Sequence, residues 1–138
     1  MTQDIRWKQR FENFDRAMTL LHEPIDRGIE TLSALEMEGT VQRFEVAIEL
    51  AWNTMKDYLE HQGAVIDPKT PKNVVKEAFA AKLLNNGQVW IDMLNHRNLL
   101  SHTYSESIFS KFMIALRDRY MAPLDELRSW LKERSEKE

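Results

Sequence analysis

The chain contains no cysteine, no long apolar run, and only four glycines and four prolines among its 138 residues. The missing cysteine excludes disulfides, thiolate catalysis and cysteine metal sites, which agrees with a reducing compartment. No apolar run approaches the ~18 residues that a membrane span requires. Residues 1–6 also lack the apolar stretch of a signal peptide, so we expect a cytoplasmic protein with no membrane association.

Phosphate-binding and metal-binding motifs are missing as well. The sequence has no Asp-x-Asp pair, no Gly-Ser dipeptide and no glycine-rich loop, so the chain is not itself a nucleotidyltransferase of the two-carboxylate kind. None of its four histidines has metal-ligand spacing to another histidine or to a carboxylate cluster. We therefore expect neither a metal nor a cofactor.

A strong excess of positive charge is also absent, because the formal net charge is −3. The protein as a whole is therefore not an electrostatic nucleic-acid binder, and any such contact must come from a local basic patch. Lys69, Lys72 and Lys76 form one small basic cluster. We interpret that cluster as a solvated face rather than an RNA contact.

The pattern that is present is helical, since apolar residues recur at spacings of three and four and no segment alternates with period two. A first helix carries one apolar stripe: Trp7, Phe11, Phe14, Met18 and Leu21. A second helix over residues 40–62 carries another: Val41, Phe44, Ile48, Ala51, Met55 and Tyr58. A long final helix starting near residue 105 carries a third: Phe109, Phe112, Leu116, Tyr120, Leu124, Leu127 and Leu131.

Glycine and proline mark the breaks between these helices. Pro24 predicts a kink or a loop, although the first stripe continues beyond it to Leu35. Thr70 and Pro71 predict the start of a short helix to about residue 84, and a further helix follows over about 88–101. Pro123 should bend the final helix. We predict one all-α domain over residues 1–138, an up-and-down antiparallel four-helix bundle with additional short helices.

The side chains best suited to catalysis or ligand binding are concentrated after residue 96. Arg97, His102 and Tyr104 lie within eight residues of each other. A guanidinium can hold a phosphate through two parallel hydrogen bonds, and an imidazole can move protons near neutral pH. A phenol can accept a transferred group. This combination is typical of a site that handles phosphodiesters.

The residues alone leave other interpretations open. On a helical wheel Arg97 falls on the apolar side, so it either forms a structural pair, with Glu45 or Glu49, or lines a cleft that an anionic ligand completes. His102 lies ~140° away on a continuous helix. The two can share a site only if the helix ends near residue 101, if both flank a groove, or if a second subunit contributes. His102 alone is typical of a helix cap, and Tyr104 alone of a packing residue.

The motif Arg97-x4-His102-x-Tyr104 resembles the signature of HEPN-domain proteins. Several surrounding segments resemble the nucleotidyltransferase substrate-binding branch of that family: 42–45 (QRFE), 49–52 (ELAW), 56–59 (KDYL), 70–74 (TPKNV) and 90–94 (WIDML). The resemblance extends from about residue 6 to residue 131 and implies an up-and-down bundle. It also implies a homodimer in which the motifs of two subunits face a shared cleft, with a cognate minimal nucleotidyltransferase as partner.

Within that family the HepT-like proteins are toxins, and the resemblance therefore implies a metal-independent endoribonuclease whose substrate is RNA. The cognate nucleotidyltransferase would be the antitoxin that attaches AMP to Tyr104. His102 would act as general acid or base and Arg97 would stabilise the phosphorane, supported by polar residues: Asn98, Ser101 and Asp92. The rival interpretation is a non-catalytic substrate-binding subunit of a two-component nucleotidyltransferase, and a purely structural dimeric bundle is a third.

Overall fold

The computed structural model describes residues 3–103 and 105–137, and within these ranges it contains helices and no strand. The helices are α1 (Gln3–Arg27), α2 (Ala34–His61), α3 (Pro71–Ala80), α4 (Gly87–Leu100), α5 (Glu106–Ala115) and α6 (Met121–Lys137). A 3-10 turn (Ile29–Thr31) follows α1, and a π-helical segment (Leu116–Tyr120) joins α5 to α6. The all-α fold is confirmed.

The longest helices pack side by side in antiparallel order. Trp7 and Tyr58 meet edge to face at one end of the α1–α2 pair, with ring centroids 4.9 Å apart. At its other end Arg27 pairs with Glu36 at 2.9 Å. On the opposite side of α1, Arg128 of α6 donates from Nε to the carboxylate of Asp15 at 2.6 Å. Together these contacts hold α1, α2 and α6 in the bundle against which α4 packs.

The three stripes that the sequence predicts lie in the hydrophobic core, together with buried residues of α3 and α4 such as Val74, Trp90 and Met93. The residues of these stripes are buried: Trp7, Phe11, Phe14, Met18, Leu21; Val41, Phe44, Ile48, Ala51, Met55, Tyr58; Phe109, Phe112, Leu116, Tyr120, Leu124, Leu127 and Leu131. The predicted continuation of the first stripe to Leu35 is wrong, because Leu35 is 77% exposed and lies in the first turn of α2. Within the described part of the chain, no helix combines the length and the hydropathy needed to cross a membrane.

The sequence predicts that Pro24 and Gly28 interrupt the first stripe, and only Gly28 ends the helix. Helix α1 runs through Pro24 to Arg27, although proline cannot donate the hydrogen bond that the carbonyl four residues earlier would accept. Arg43 of α2 supplies that bond, donating from Nη1 to the Leu20 carbonyl at 2.6 Å. The chain turns at Gly28, whose φ of 100° suits glycine.

The boundaries of α2 and α3 also differ from the predicted ones. Helix α2 begins six residues before the predicted start, because Ser33 and Glu36 form a capping box that exchanges two hydrogen bonds at 3.1 and 3.0 Å. The residues before it, Leu32 included, do not continue the first helix. Helix α3 stops at Ala80 rather than near residue 84, and Lys82 in the turn that follows has a φ of 67°.

Just before Pro123, where the sequence predicts a bend, the helix type changes. A proline ring collides with the carbonyl four residues earlier, here that of Arg119. Arg119 lies within the π-helical segment, where each turn is wider and the carbonyls are displaced. We attribute the π-helical segment to this conflict, which also brings Tyr120 towards α4.

His22 of α1 forms a pH-dependent ion pair with Asp125 of α6. Burial alone would lower its pKa, but hydrogen bonds and charge from Asp125, at 2.8 Å, and from Asp26 outweigh burial and raise the pKa. A raised histidine pKa adds stability that is fully present below the unfolded-state value of 6.5 and is lost as the pH rises through the folded-state value. We expect the parent to lose up to about 1 kcal/mol between about pH 6 and pH 8 relative to His22→Gln.

Urea titrations of both proteins at the two pH values measure this difference. An equal change in the free energy of unfolding between the two pH values in the parent and in His22→Gln would contradict a stabilising His22–Asp125 ion pair. His96 has the opposite effect on stability. Burial lowers its pKa, so the stability that this histidine contributes is lost as the pH falls. The comparison with His22→Gln cancels that second contribution.

Candidate functional site

An open groove lies between α2 and α4 and has a volume of about 720 Å³. Helix α2 contributes one wall, and α4 with the residues after it contributes the other. The lining residues are Gln42, Glu45, Val46, Glu49, Leu50, Arg97, Asn98, Ser101 and His102. Four of the six residues predicted for the site therefore share one groove of a single subunit.

Arg97 crosses the groove to α2. Its Nη1 donates to Glu49 Oε2 at 2.6 Å, and its Nη2 donates to the side-chain oxygen of Asn98 at 3.2 Å. The Arg97 side chain is 26% exposed, so it lies half-buried at the edge of the apolar interface. Of the two predicted explanations, the pair with Glu49 is present, and the guanidinium also faces an open groove.

Glu49 is itself held by its own helix. The indole nitrogen of Trp52, one turn further along α2, donates to the same carboxylate oxygen, Oε2, at 3.0 Å. Asn53 donates to the main-chain oxygen of Glu49 at 2.9 Å. The carboxylate is therefore oriented towards Arg97 by residues that do not belong to α4.

His102 reaches the groove because α4 ends just before it. The helix stops at Leu100, and the backbone N–H of His102 bonds to the Leu99 carbonyl at 3.1 Å in a closing turn. This end near residue 101 is one of the three conditions under which Arg97 and His102 could share a site. Ser101 donates to Glu45 Oε2 at 3.2 Å, and the His102 residue is exposed.

The remaining two predicted residues lie elsewhere. Asp92 faces another side of α4, where it accepts hydrogen bonds from Gln88 at 2.9 Å and from Arg119 at 2.7 Å. These two partners lower its pKa. Asp92 does not line the groove. Tyr104, the predicted AMP acceptor, lies outside the described residues.

A polar contact behind the groove has no counterpart in the sequence-based prediction. His96 Nδ1 makes a short hydrogen bond with the Tyr120 hydroxyl, beneath the face of α4 that carries Asp92. Burial lowers the pKa of His96 and raises that of Tyr120, so both groups are neutral near pH 7. The spacing of Asp92 and His96 on one helix face was the available signal, but their partners come from the π-helical segment. We interpret the contact as support for α4.

The groove carries a net negative charge rather than a positive one. Two carboxylates, of Glu45 and Glu49, face one guanidinium and one imidazole, which gives about −1 with the histidine neutral. Among the described residues, no group of three or more His, Cys, Asp or Glu side chains could hold a metal ion. A phosphate bound to Arg97 would therefore lie close to the carboxylates of Glu45 and Glu49.

Comparisons with known proteins agree with this architecture. Residues 9–133 match the model of a family described as nucleotidyltransferase substrate binding protein like. The fold is similar to the crystal structure of a protein from Thermus thermophilus, with a TM-score of 0.77 and 27% sequence identity. The similarity covers 86% of this chain and 98% of that one. Comparison with curated proteins gave no match.

Proposed function

Because the chain belongs to the nucleotidyltransferase substrate-binding-protein-like family, we propose that it is a HEPN toxin, a metal-independent endoribonuclease. A cognate minimal nucleotidyltransferase would neutralise it by adding AMP to Tyr104. The single observation that carries the proposal is that Arg97 and His102 line the same open groove. The Arg-x4-His-x-Tyr motif and the family give that pair its chemical context.

The proposed reaction needs no metal. The 2′-hydroxyl of a ribose attacks the adjacent phosphate, and the bond from phosphorus to the 5′-oxygen breaks. A base takes the 2′-proton and an acid protonates the departing 5′-oxygen, leaving a cyclic 2′,3′-phosphate and a 5′-hydroxyl. His102 serves in this proton transfer, while Arg97 stabilises the charge on the phosphorane. Ser101 and Asn98 lie beside Arg97 and supply hydrogen bonds.

We propose that the working form is a homodimer. A single groove contains one guanidinium among two carboxylates, whereas a second subunit would bring a second Arg97 and a second His102 to a shared cleft. An apolar surface beside the groove supports this arrangement: Val46 lines it and is 48% exposed, and a smaller depression continues from Val46 to Leu20, which is 47% exposed. Burial of such side chains favours association.

Incubation of the purified protein with labelled single-stranded RNA in excess EDTA tests the activity. We expect cleavage to continue in EDTA and to yield cyclic phosphate ends. In growing cells, expression without the nucleotidyltransferase should arrest growth, and coexpression should restore it. Intact mass measurement should then show one or more AMP increments, absent from Tyr104→Phe. Intact RNA together with normal growth would exclude the toxin.

The alternative is a non-catalytic subunit that holds substrate for a separate nucleotidyltransferase. The net negative charge of the groove favours it, because the carboxylates of Glu45 and Glu49 beside Arg97 weaken the binding of a polyanion such as RNA. Under this alternative, the EDTA assay gives binding of RNA or nucleotide without cleavage. Expression without the partner would then leave growth unchanged.

A further inference from the structure

Both terminal nitrogens of the Arg97 guanidinium have acceptors within the protein itself. Nη1 donates to Glu49 and Nη2 to Asn98. A phosphate is held best when two parallel N–H groups point to it at once. These contacts use two of the five guanidinium N–H groups. A phosphate that binds through the Nη1 and Nη2 pair therefore competes with the Glu49 carboxylate, which has the shorter contact of the two.

The Glu49 carboxylate remains in position without Arg97, since Trp52 holds it from the same helix. The indole nitrogen binds Oε2, the same oxygen that Arg97 contacts. A rotation of Arg97 towards a ligand therefore leaves a partly oriented carboxylate behind. Displacement costs the ligand an ion pair, and the carboxylate then repels the ligand at short range.

We infer that Glu49 is a specificity-determining residue, an internal anion that occupies Arg97 until a phosphate replaces it. This inference rests on the proposed function, because it concerns the phosphate site of the same groove. The groove then disfavours isolated anions that bind weakly. A chain of phosphates can bind, because it gains several contacts in exchange for the single Arg97–Glu49 contact that it displaces. The ligand class is a single-stranded oligonucleotide rather than a lone phosphate.

Removal of the Glu49 charge should tighten oligonucleotide binding. Glu49→Gln keeps the shape of the side chain and its acceptor for Trp52, but it frees Arg97 and removes the repulsion. We expect roughly tenfold tighter binding, from the loss of one competing charge at short range in a half-exposed site. Glu45→Gln is the matched control, because Glu45 lines the same groove and bonds Ser101 without contacting Arg97. Its gain should be severalfold smaller.

The probe is a fluorescent 2′-deoxyoligonucleotide of about eight nucleotides, within the usual size of single-strand sites. It lacks the attacking 2′-hydroxyl, so binding is measured without cleavage. Fluorescence anisotropy would give dissociation constants for the parent, Glu49→Gln, Glu45→Gln, Arg97→Gln and the double variant of Glu49 and Arg97. Inorganic phosphate serves as competitor. It should displace the oligonucleotide from Glu49→Gln at lower concentration than from the parent.

The outcomes separate the inference from the proposed function. Tighter binding by Glu49→Gln that disappears in the double variant supports the inference. Equal gains from both glutamine variants, or a gain that persists without Arg97, would overturn it while the toxin proposal stands. If no variant binds and RNA is also left intact, both proposals fail. Urea midpoints of every variant show that the differences do not come from unfolding.

Discussion

We expect replacement of His102 by alanine to lower the rate of the proposed RNA cleavage by a factor of about 10²–10⁴, the usual contribution of one positioned general acid or base. The side chain lies past the end of α4, in an exposed turn at the groove. Its loss therefore removes a proton carrier without opening the core. Single-turnover cleavage of labelled RNA at saturating protein measures the effect on chemistry rather than on binding.

The matched control is His61→Ala, which removes a histidine at the far end of α2, outside the groove. It should cleave at nearly the parental rate. A pH profile adds a second readout, because loss of the proton-transfer group removes a limb of the bell-shaped dependence. If His102→Ala cuts RNA as fast as the parent, the proposed mechanism is wrong, even if Arg97 remains necessary for binding.

The sequence was sufficient to predict the parts of the fold that depend on periodicity. Each apolar stripe is buried because a helical repeat of 3.6 residues forces spaced apolar residues onto one face, which must pack against another. The end of α4 near residue 101 was also predictable, since a polar cluster and a new cap follow it. These signals are local, so a single chain segment contains all the information that they need.

Features that depend on a distant partner were not predictable. Helix α1 passes Pro24 because Arg43, from the neighbouring helix, takes the role of the missing backbone donor. The Arg119 partner of Asp92 comes from the π-helical segment, and the local sequence does not reveal it. The position of Asp92 outside the groove follows from helix geometry, since Asp92 lies five residues from Arg97, about 140° around the helix. At Pro24 a side chain from another helix decides between alternatives that the local sequence leaves equal. The helical wheel indicated that Arg97 could pair with a glutamate of α2, but it did not distinguish Glu45 from Glu49.

Replacement of Phe44 by alanine destabilises the protein by about 3–5 kcal/mol, the usual cost of removing a buried phenylalanine side chain. Phe44 is fully buried on α2, with Phe112 of α5 at 4.7 Å between ring centroids and Tyr120 at 6.1 Å. Its removal leaves a cavity at the point where α2 meets α5 and the π-helical segment. Tyr120 also bonds His96, so the cavity lies directly beneath the support of α4.

Urea unfolding followed by circular dichroism measures this loss, with Leu35→Ala as the matched control on the same helix. Leu35 is 77% exposed, so its truncation should change the free energy of unfolding by no more than about 0.5 kcal/mol. A loss below about 1 kcal/mol for Phe44→Ala would contradict close packing at this junction. Since small domains have only about 5–15 kcal/mol of stability, the expected loss is a large share of the total. Cleavage by Phe44→Ala should therefore fall with the folded fraction, whereas His102→Ala stays folded and loses the chemistry alone.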